Sequence, residues 1–246
     1  MNPSKKHHTS GFTLLETVIA IGVLAVLLSG FMVVFAPAAA GIRKAINSQE
    51  ASRLVTTVEQ ELVTLRGSQQ TTAYPTGFDK AFEYIKGSAG TDAELGLIVY
   101  KYRGSLSEIR DDGTAKPVLD IDGLIPGQDY IVQAMMRRKD DTEFIEDIAA
   151  MEGAIYMVKC TQLVMKANAA GDGFSLQEGE VGQILSPDPP NDQVDAAENY
   201  QHAVISFVAD FYPLPSKSSG FFSNGFEEVF TQTNQPLFSR NLAIRR

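Results

Sequence analysis

From Phe12 to Ala36 every residue is apolar, small or hydroxyl-bearing, with Glu16 as the one exception. A helix rises about 1.5 Å per residue, so this run is long enough to cross a hydrocarbon layer of roughly 30 Å. No ordinary soluble fold needs such a segment, and the chain is expected to enter a membrane. The acid is the anomaly. A carboxylate in a lipid-facing helix costs on the order of 2.5 kcal/mol or more, so it calls for a cationic partner. No Lys or Arg lies between Phe12 and Ala36. The partner must come from another chain, from a lipid headgroup, or from a new amino terminus made by cleavage nearby. The third suits the small-residue junction Ser10-Gly11 that opens the run.

Charge narrows the classes of partner. The 246 residues carry 21 Lys and Arg against 30 Asp and Glu, a net charge of -9 that becomes -11 if Lys5 and Lys6 leave with residues 1–11. An acidic chain of this kind argues against general affinity for nucleic acid or anionic lipid, both of which need clustered cations.

The search for catalytic chemistry is nearly empty, and no enzymatic activity is expected. His7 and His8 precede the apolar run; after it the chain has one His, His202, and one Cys, Cys160. Neither a multi-His metal site nor a paired-thiol redox centre follows. No nucleophile elbow, dinucleotide turn or phosphate loop is present. His202 reads as structural and Cys160, inside the apolar run Ile155 to Met165, as a small core residue. The remaining site candidate is acidic: Asp111, Asp112, Asp120 and Asp122, in a turn-rich stretch where oxygen ligands can gather around calcium. The spacing is not that of an EF-hand, because Asp120-Ile121-Asp122-Gly123 lacks the later Glu. Solvated turn residues are the competing reading, and no other cofactor is expected.

Beyond the apolar run, Ile42, Ile46, Leu54, Val55, Val58, Leu62 and Leu65 recur at three- and four-residue steps, an amphipathic helix. Pro37 and the small residues after it need do no more than bend the chain, so Phe12 to Arg66 is expected as one near-continuous helix. Gly67 to Thr72 ends it. Strands are expected at Leu95–Arg103, Asp129–Arg137, Gly153–Lys166 and His202–Tyr212. Turn signals at Asp111-Asp112-Gly113, Asp122-Gly123, Pro126-Gly127 and Gly171-Asp172-Gly173 favour hairpins and an antiparallel sheet. Glu143–Met151 reads as a short helix, Ser186–Asn199 and Pro213–Gly225 as exposed loops, and Thr231–Arg246 as a poorly ordered or edge segment.

Taken together, Lys5, Lys6, Gly11, Phe12 and Glu16 resemble the start of the type IV pilins and type II secretion pseudopilins: a short basic leader, a Gly, an N-terminal Phe, and a Glu four residues later. The resemblance covers Lys5 to about Arg66. It implies that a prepilin peptidase cuts after Gly11, methylates the amino group of Phe12, and that Glu16 pairs with the Phe12 amine of a neighbouring subunit during assembly. Two groups that are each costly in a low-dielectric layer offset one another when paired, and the pairing sets the axial register. The chain departs from the family in two ways. Many pilins place a kinking Pro within the apolar segment, whereas Pro37 lies beyond it. Many close a C-terminal loop with a disulfide, which a single Cys excludes.

The fold implied is α+β: a long helix, membrane-spanning in its first half and amphipathic in its second, packed on a mainly antiparallel head. The divisions are a leader at 1–11, a membrane and assembly helix at 12–36, its amphipathic continuation at 37–66, and a β-rich head at 67–246. The implied partners are the peptidase, other pilin subunits and an inner-membrane assembly platform. The implied location is the inner membrane with the head outside the cytoplasm, then a pilus or pseudopilus, with a large head favouring a minor subunit. Three readings compete. A secretory signal peptide cut near Ala38-Ala39-Ala40 has the basic start but too long an apolar run. An ordinary single-span anchor would let Glu16 snorkel to the interface, leaving a secreted or anchored binding module. A cytosolic protein with a buried apolar helix is the third.

Overall fold

The structure, a computed structural model, describes residues 13–67, 74–168, 173–232 and 235–246. Its first element, α1 (Leu14–Val63), is a continuous helix with Pro37 inside it. It ends three residues before the expected Arg66, where Thr64 leaves the helical path. The chain divides into two compact units, Met1–Ile46 and Asn47–Arg246. In the first, Leu14–Ile42 is one helix apolar enough and long enough to cross a membrane, and none of its most apolar stretch is buried by protein.

The second unit is built on a seven-stranded sheet: β1 (Leu97–Ile109), β2 (Ala115–Pro117), β3 (Tyr130–Arg138), β4 (Met151–Ala167), β5 (Phe174–Glu178), β6 (Val204–Pro213) and β7 (Phe238–Arg245). Every strand pairing is antiparallel. The backbone order is β2-β1-β4-β6-β7, with β3 also on β1 and β5 on β4. The middle strands alternate between two cores, as the period of two requires. Leu97 and Val99 of β1, with Tyr156, Val158 and Cys160 of β4, face one layer. Ile98, Tyr100 and Tyr102 of β1, with Ile155 and Met157 of β4, face the other.

Helices close both faces. Leu54, Val58 and Leu62 of α1 share the first core with Phe78, Phe82 and Ile85 of α2 (Gly77–Ser88). The second core is capped by Phe144 from α3 (Thr142–Asp147), Phe222 from α4 (Ser219–Asn224), and Phe226 and Phe230 from α5 (Phe226–Thr231). Phe144 and Phe222 meet edge to face with ring centroids 4.9 Å apart, the geometry aromatic quadrupoles favour.

Two expectations change, and a third is settled in favour of one of its two readings. Residues 77–88, absent from the list of expected elements, form α2. The stretch Pro213–Gly225, expected as a loop, carries α4, because the Ser218 side chain accepts from the Phe221 amide and caps it. The C-terminal segment is the edge strand β7, paired with β6 from Phe211↔Phe238 to Val204↔Arg245.

Two glycines are set by close approach. A Cβ on Gly77 would lie 2.2 Å from the Val63 carbonyl oxygen, so only glycine lets the start of α2 pass under the end of α1. Gly153 has φ +68° at the point where the β1–β4 register shifts, and a Cβ there would lie 2.8 Å from Glu50 Oε1. Glu50 forms an ion pair with Lys101 over that irregularity, joining α1 to β1.

Candidate functional site

The apolar helix begins with a reciprocal cap. Glu16 N donates to Thr13 Oγ1 at 3.2 Å, while Thr13 N donates to Glu16 Oε2 at 3.1 Å. Thr13 Oγ1 also lies 3.1 Å from the same carboxylate oxygen. This is a capping box: each residue satisfies an amide that the first helical turn leaves unpaired. The positive end of the helix macrodipole favours a carboxylate here. Among the described residues, the bonds to the acid converge on Oε2, and Glu16 is exposed. Leu14, Leu15 and Val18 around it are exposed as well. The turn therefore presents one oriented negative charge at the mouth of an uncovered apolar helix. Sequence reasoning singled out Glu16 and passed over Thr13, although Thr-x-x-Glu ahead of an apolar run is the signal for such a box. Lys5, Lys6, Gly11 and Phe12 lie outside the described residues.

The four acidic candidates do not converge. Asp112 is committed to other groups: Oδ1 accepts from Thr114 N at 2.8 Å and Thr114 Oγ1 at 2.6 Å, and Oδ2 pairs with Arg137 Nη2 at 2.7 Å. Burial works to raise its pKa, but the Thr114 and Arg137 hydrogen bonds prevail and hold it below the usual carboxylate value. Asp120 Oδ1 accepts from the Asp122 amide at 3.0 Å, a local turn bond, and Asp111 is exposed. Among the described residues no three His, Cys, Asp or Glu side chains gather as a metal site.

Asp112 belongs instead to a buried ionic cluster that the sequence did not reveal. Arg110 Nη2 lies 2.7 Å from Asp147 Oδ1, and Arg137 Nη1 lies 3.2 Å from Asp141 Oδ2. Tyr100 donates its hydroxyl to Asp147 Oδ2 at 2.5 Å. These residues come from both ends of the β1–β2 hairpin, from β3 and from α3, so the cluster clasps the hairpin tip against the second core. Burial, with Glu143 beside it, pushes the Asp141 carboxyl up to about 6. A cleft of about 270 Å³ opens beside it, lined in part by Arg66, Tyr74, Arg137 and Asp141. The arginines that line it are each paired with an acid: Arg66 with Glu61, Arg137 with Asp112 and Asp141, and Arg138, also in the lining, with Asp140.

Of the two residues weighed for catalysis, Cys160 sits in an unreactive place. Cys160 is 1 % exposed, and burial pushes its thiol up to about 12. It is therefore not the thiolate a nucleophile requires. His202 lies 3.9 Å from Asp188 Oδ2 and packs on the Tyr200 ring at 5.7 Å.

No curated protein and no solved structure matches the chain. One family model does, over residues 6–32, and its description is the prokaryotic N-terminal methylation motif. The match takes in Lys6 and the rest of the leader after it, Gly11, Phe12, the Thr13–Glu16 box and most of the apolar run. A motif of this type marks a substrate of prepilin peptidase that assembles with other pilin subunits, in a family of structural and generally non-enzymatic proteins. Among the described residues one helix, near the N-terminus, is long and apolar enough to cross a membrane, which fits a subunit anchored in the inner membrane. The capped acid at the head of a membrane-length helix stands within that motif: over residues 6–32 the chain carries the signature of the type IV pilins and pseudopilins.

Proposed function

We propose that this chain is a prepilin that is cut after Gly11, methylated on the amino group of Phe12, and assembled through α1 into a type IV pilus or a type II secretion pseudopilus. Glu16 pairs with the Phe12 amine of the neighbouring subunit. The observation that carries this reading is the placement of Glu16, an exposed carboxylate oriented by Thr13 at the start of a helix whose most apolar stretch is unburied among the described residues. A charge in that position is costly in lipid and is offset by an opposite charge at the same depth. The head supports a minor subunit. Its sheet is closed on both faces, by α1 and α2 on one side and by α3, α4 and α5 on the other, which is more than a helix-on-sheet core requires. An inner-membrane assembly platform is the partner that such a subunit needs in order to leave the bilayer.

Replacing Glu16 with Ala tests the reading. Leader cleavage and membrane insertion should persist, while the assembled fraction falls by about tenfold or more, which corresponds to about 1.4 kcal/mol per interface. Normal assembly of the variant would overturn the pairing.

A further inference from the structure

The sheet has two long edge strands, β3 paired only with β1 and β7 paired only with β6. β7 is regular: it keeps one register with β6 from Phe211↔Phe238 to Val204↔Arg245 and contains no Pro. Just beyond it, Arg246 N donates to Ala203 O at 2.8 Å. Backbone groups of an antiparallel strand alternate in direction, so Ile244, Leu242 and Arg240 also turn theirs toward β6. Ser239, Asn241, Ala243 and Arg245 turn theirs to the open side. All four are exposed, and among the described residues no backbone group pairs with them from that side. An open edge of this length is a template for another strand.

Charge separates β7 from the other long edge. β3 carries Arg137 and Arg138, and each is paired with an acid, Arg137 with Asp112 and Asp141 and Arg138 with Asp140. Arg240 and Arg245 of β7 form no ion pair among the described residues. Residues 229–246 hold these two and Arg246 and no acid, in a chain of net charge -9. Across the ladder the only charged residue of β6 is Asp210, whose Oδ1 accepts the Ser239 hydroxyl at 2.5 Å. Charged side chains on an edge also serve to repel stray strands. Here the Arg240 guanidinium is folded back, 5.6 Å from the Phe238 ring centroid and 3.4 Å from Ser52 Oγ, so it does not bar the edge.

We propose that β7 accepts an extended acidic segment of a different protein as an added strand. The backbone of that segment pairs with the outward groups of Ser239, Asn241, Ala243 and Arg245, the mode in which a sheet edge takes up a peptide. Its carboxylates meet Arg245 and Arg240, and complementary charge fixes the register. Its apolar side chains extend the first core beside Phe238 and Leu242, which are partly buried against that core. Two copies of this chain paired through the same edge would gather their arginines along one seam with no acid on either β7, so charge favours an unlike occupant. One added strand closes the edge and does not repeat along a filament, in keeping with a minor subunit. The proposal is independent of how α1 assembles.

The full-length protein in detergent micelles, titrated with labelled short peptides, tests it. A peptide of alternating Glu and Val should bind about tenfold or more tightly than one of alternating Lys and Val. A Glu-Val peptide N-methylated along its centre keeps every side chain and charge but cannot pair its backbone, and it should bind several-fold more weakly. Asn241→Pro with Ala243→Pro removes outward donors while sparing the bonds to β6, a change that edge strands tolerate, and should reduce binding to a similar extent. Arg240→Glu with Arg245→Glu should reverse the preference toward the Lys-Val peptide. Equal binding of the N-methylated peptide would mean an ionic contact only and would overturn the added strand. Absence of Glu-Val binding at about 1 mM peptide, or no preference between acid and base, would overturn the acidic occupant. An Asn241→Cys variant that oxidises to a dimer through β7 would place a second copy on the edge and overturn the proposal as well.

Discussion

The Nζ of Lys80 donates to the Thr64 carbonyl at 2.6 Å while the residue is only 3 % exposed. The bond gives one of the carbonyls left free beyond the end of α1 a buried cationic partner, a favourable arrangement at a helix C-terminus. Burial lowers the Lys80 pKa from 10.5 to about 8, although the Glu61 carboxylate works to raise it. The folded head then binds fewer protons at this site than the unfolded chain between pH 8 and 10.5, so the penalty of burying the charge is full below pH 8 and fades as pH rises. Stability should climb from pH 8 to 9.5 by about 1.5 kcal/mol, roughly half of what a shift of this size supplies over the whole titration, and Lys80→Met should flatten that climb. Denaturant midpoints of both proteins across this range provide the check; parallel profiles would contradict the account.

Asp141 has the opposite sign. Its folded pKa of about 6 stands above the ordinary 3.8, because burial disfavours the charged form. The stability it contributes is fully present below pH 3.8 and is lost as pH rises through 6. Asp112, held below its ordinary value, contributes stability above pH 3.8 that is lost on acidification. Asp141→Asn should therefore compare better with the native chain at pH 7 than at pH 4, measured as the difference in Tm. A difference independent of pH would exclude Asp141 as the titrating group.

Gly77→Ala should destabilise the head by about 3 kcal/mol or more, since the new methyl would stand 2.2 Å from the Val63 oxygen and neither backbone is free to yield. Gly153→Ala adds strain at φ +68° but meets a flexible neighbour, the Glu50 side chain. It should cost less, about 1–2 kcal/mol. Equal effects would show that the α1–α2 approach is looser than described.

Thr13→Val removes the hydroxyl of the capping box and keeps the shape of the side chain. It should weaken the first turn of α1 by about 1 kcal/mol, and it should reduce assembly less than Glu16→Ala does while leaving cleavage intact. Thr13→Ser should restore assembly. If Thr13→Val assembles at the native level, orientation of Glu16 by Thr13 is irrelevant to assembly.

Four strands were legible in the sequence: β1, β4 and β6 are central and read as dense apolar runs, and β3, paired only with β1, still reads as a strand from Tyr130, Ile131, Val132, Met135 and Met136. The membrane-length helix and Glu16 were legible for the same reason: one charge stands out against a long apolar background. What escaped had weaker local signals. The helix α2 begins with Gly77 just after Pro75, residues that read as a turn, although Thr76 and Asp79 form a full capping box and Phe78, Phe82 and Ile85 keep helical spacing. In β7 the apolar alternation is broken by Arg240, whose guanidinium stacks over the Phe238 ring at 5.6 Å. The ionic clasp was out of reach altogether. Arg110, Arg137 and Asp147 are far apart in sequence, and only the folding of the hairpin over α3 brings them together.

The most direct test of the central claim is the mass and N-terminal sequence of the mature protein recovered from membranes. The account predicts a chain that begins at Phe12 and carries about 14 Da of added methyl. A chain that begins near Ala39 or Gly41, or that retains Met1, would contradict it and remove the basis for giving Glu16 a role in assembly.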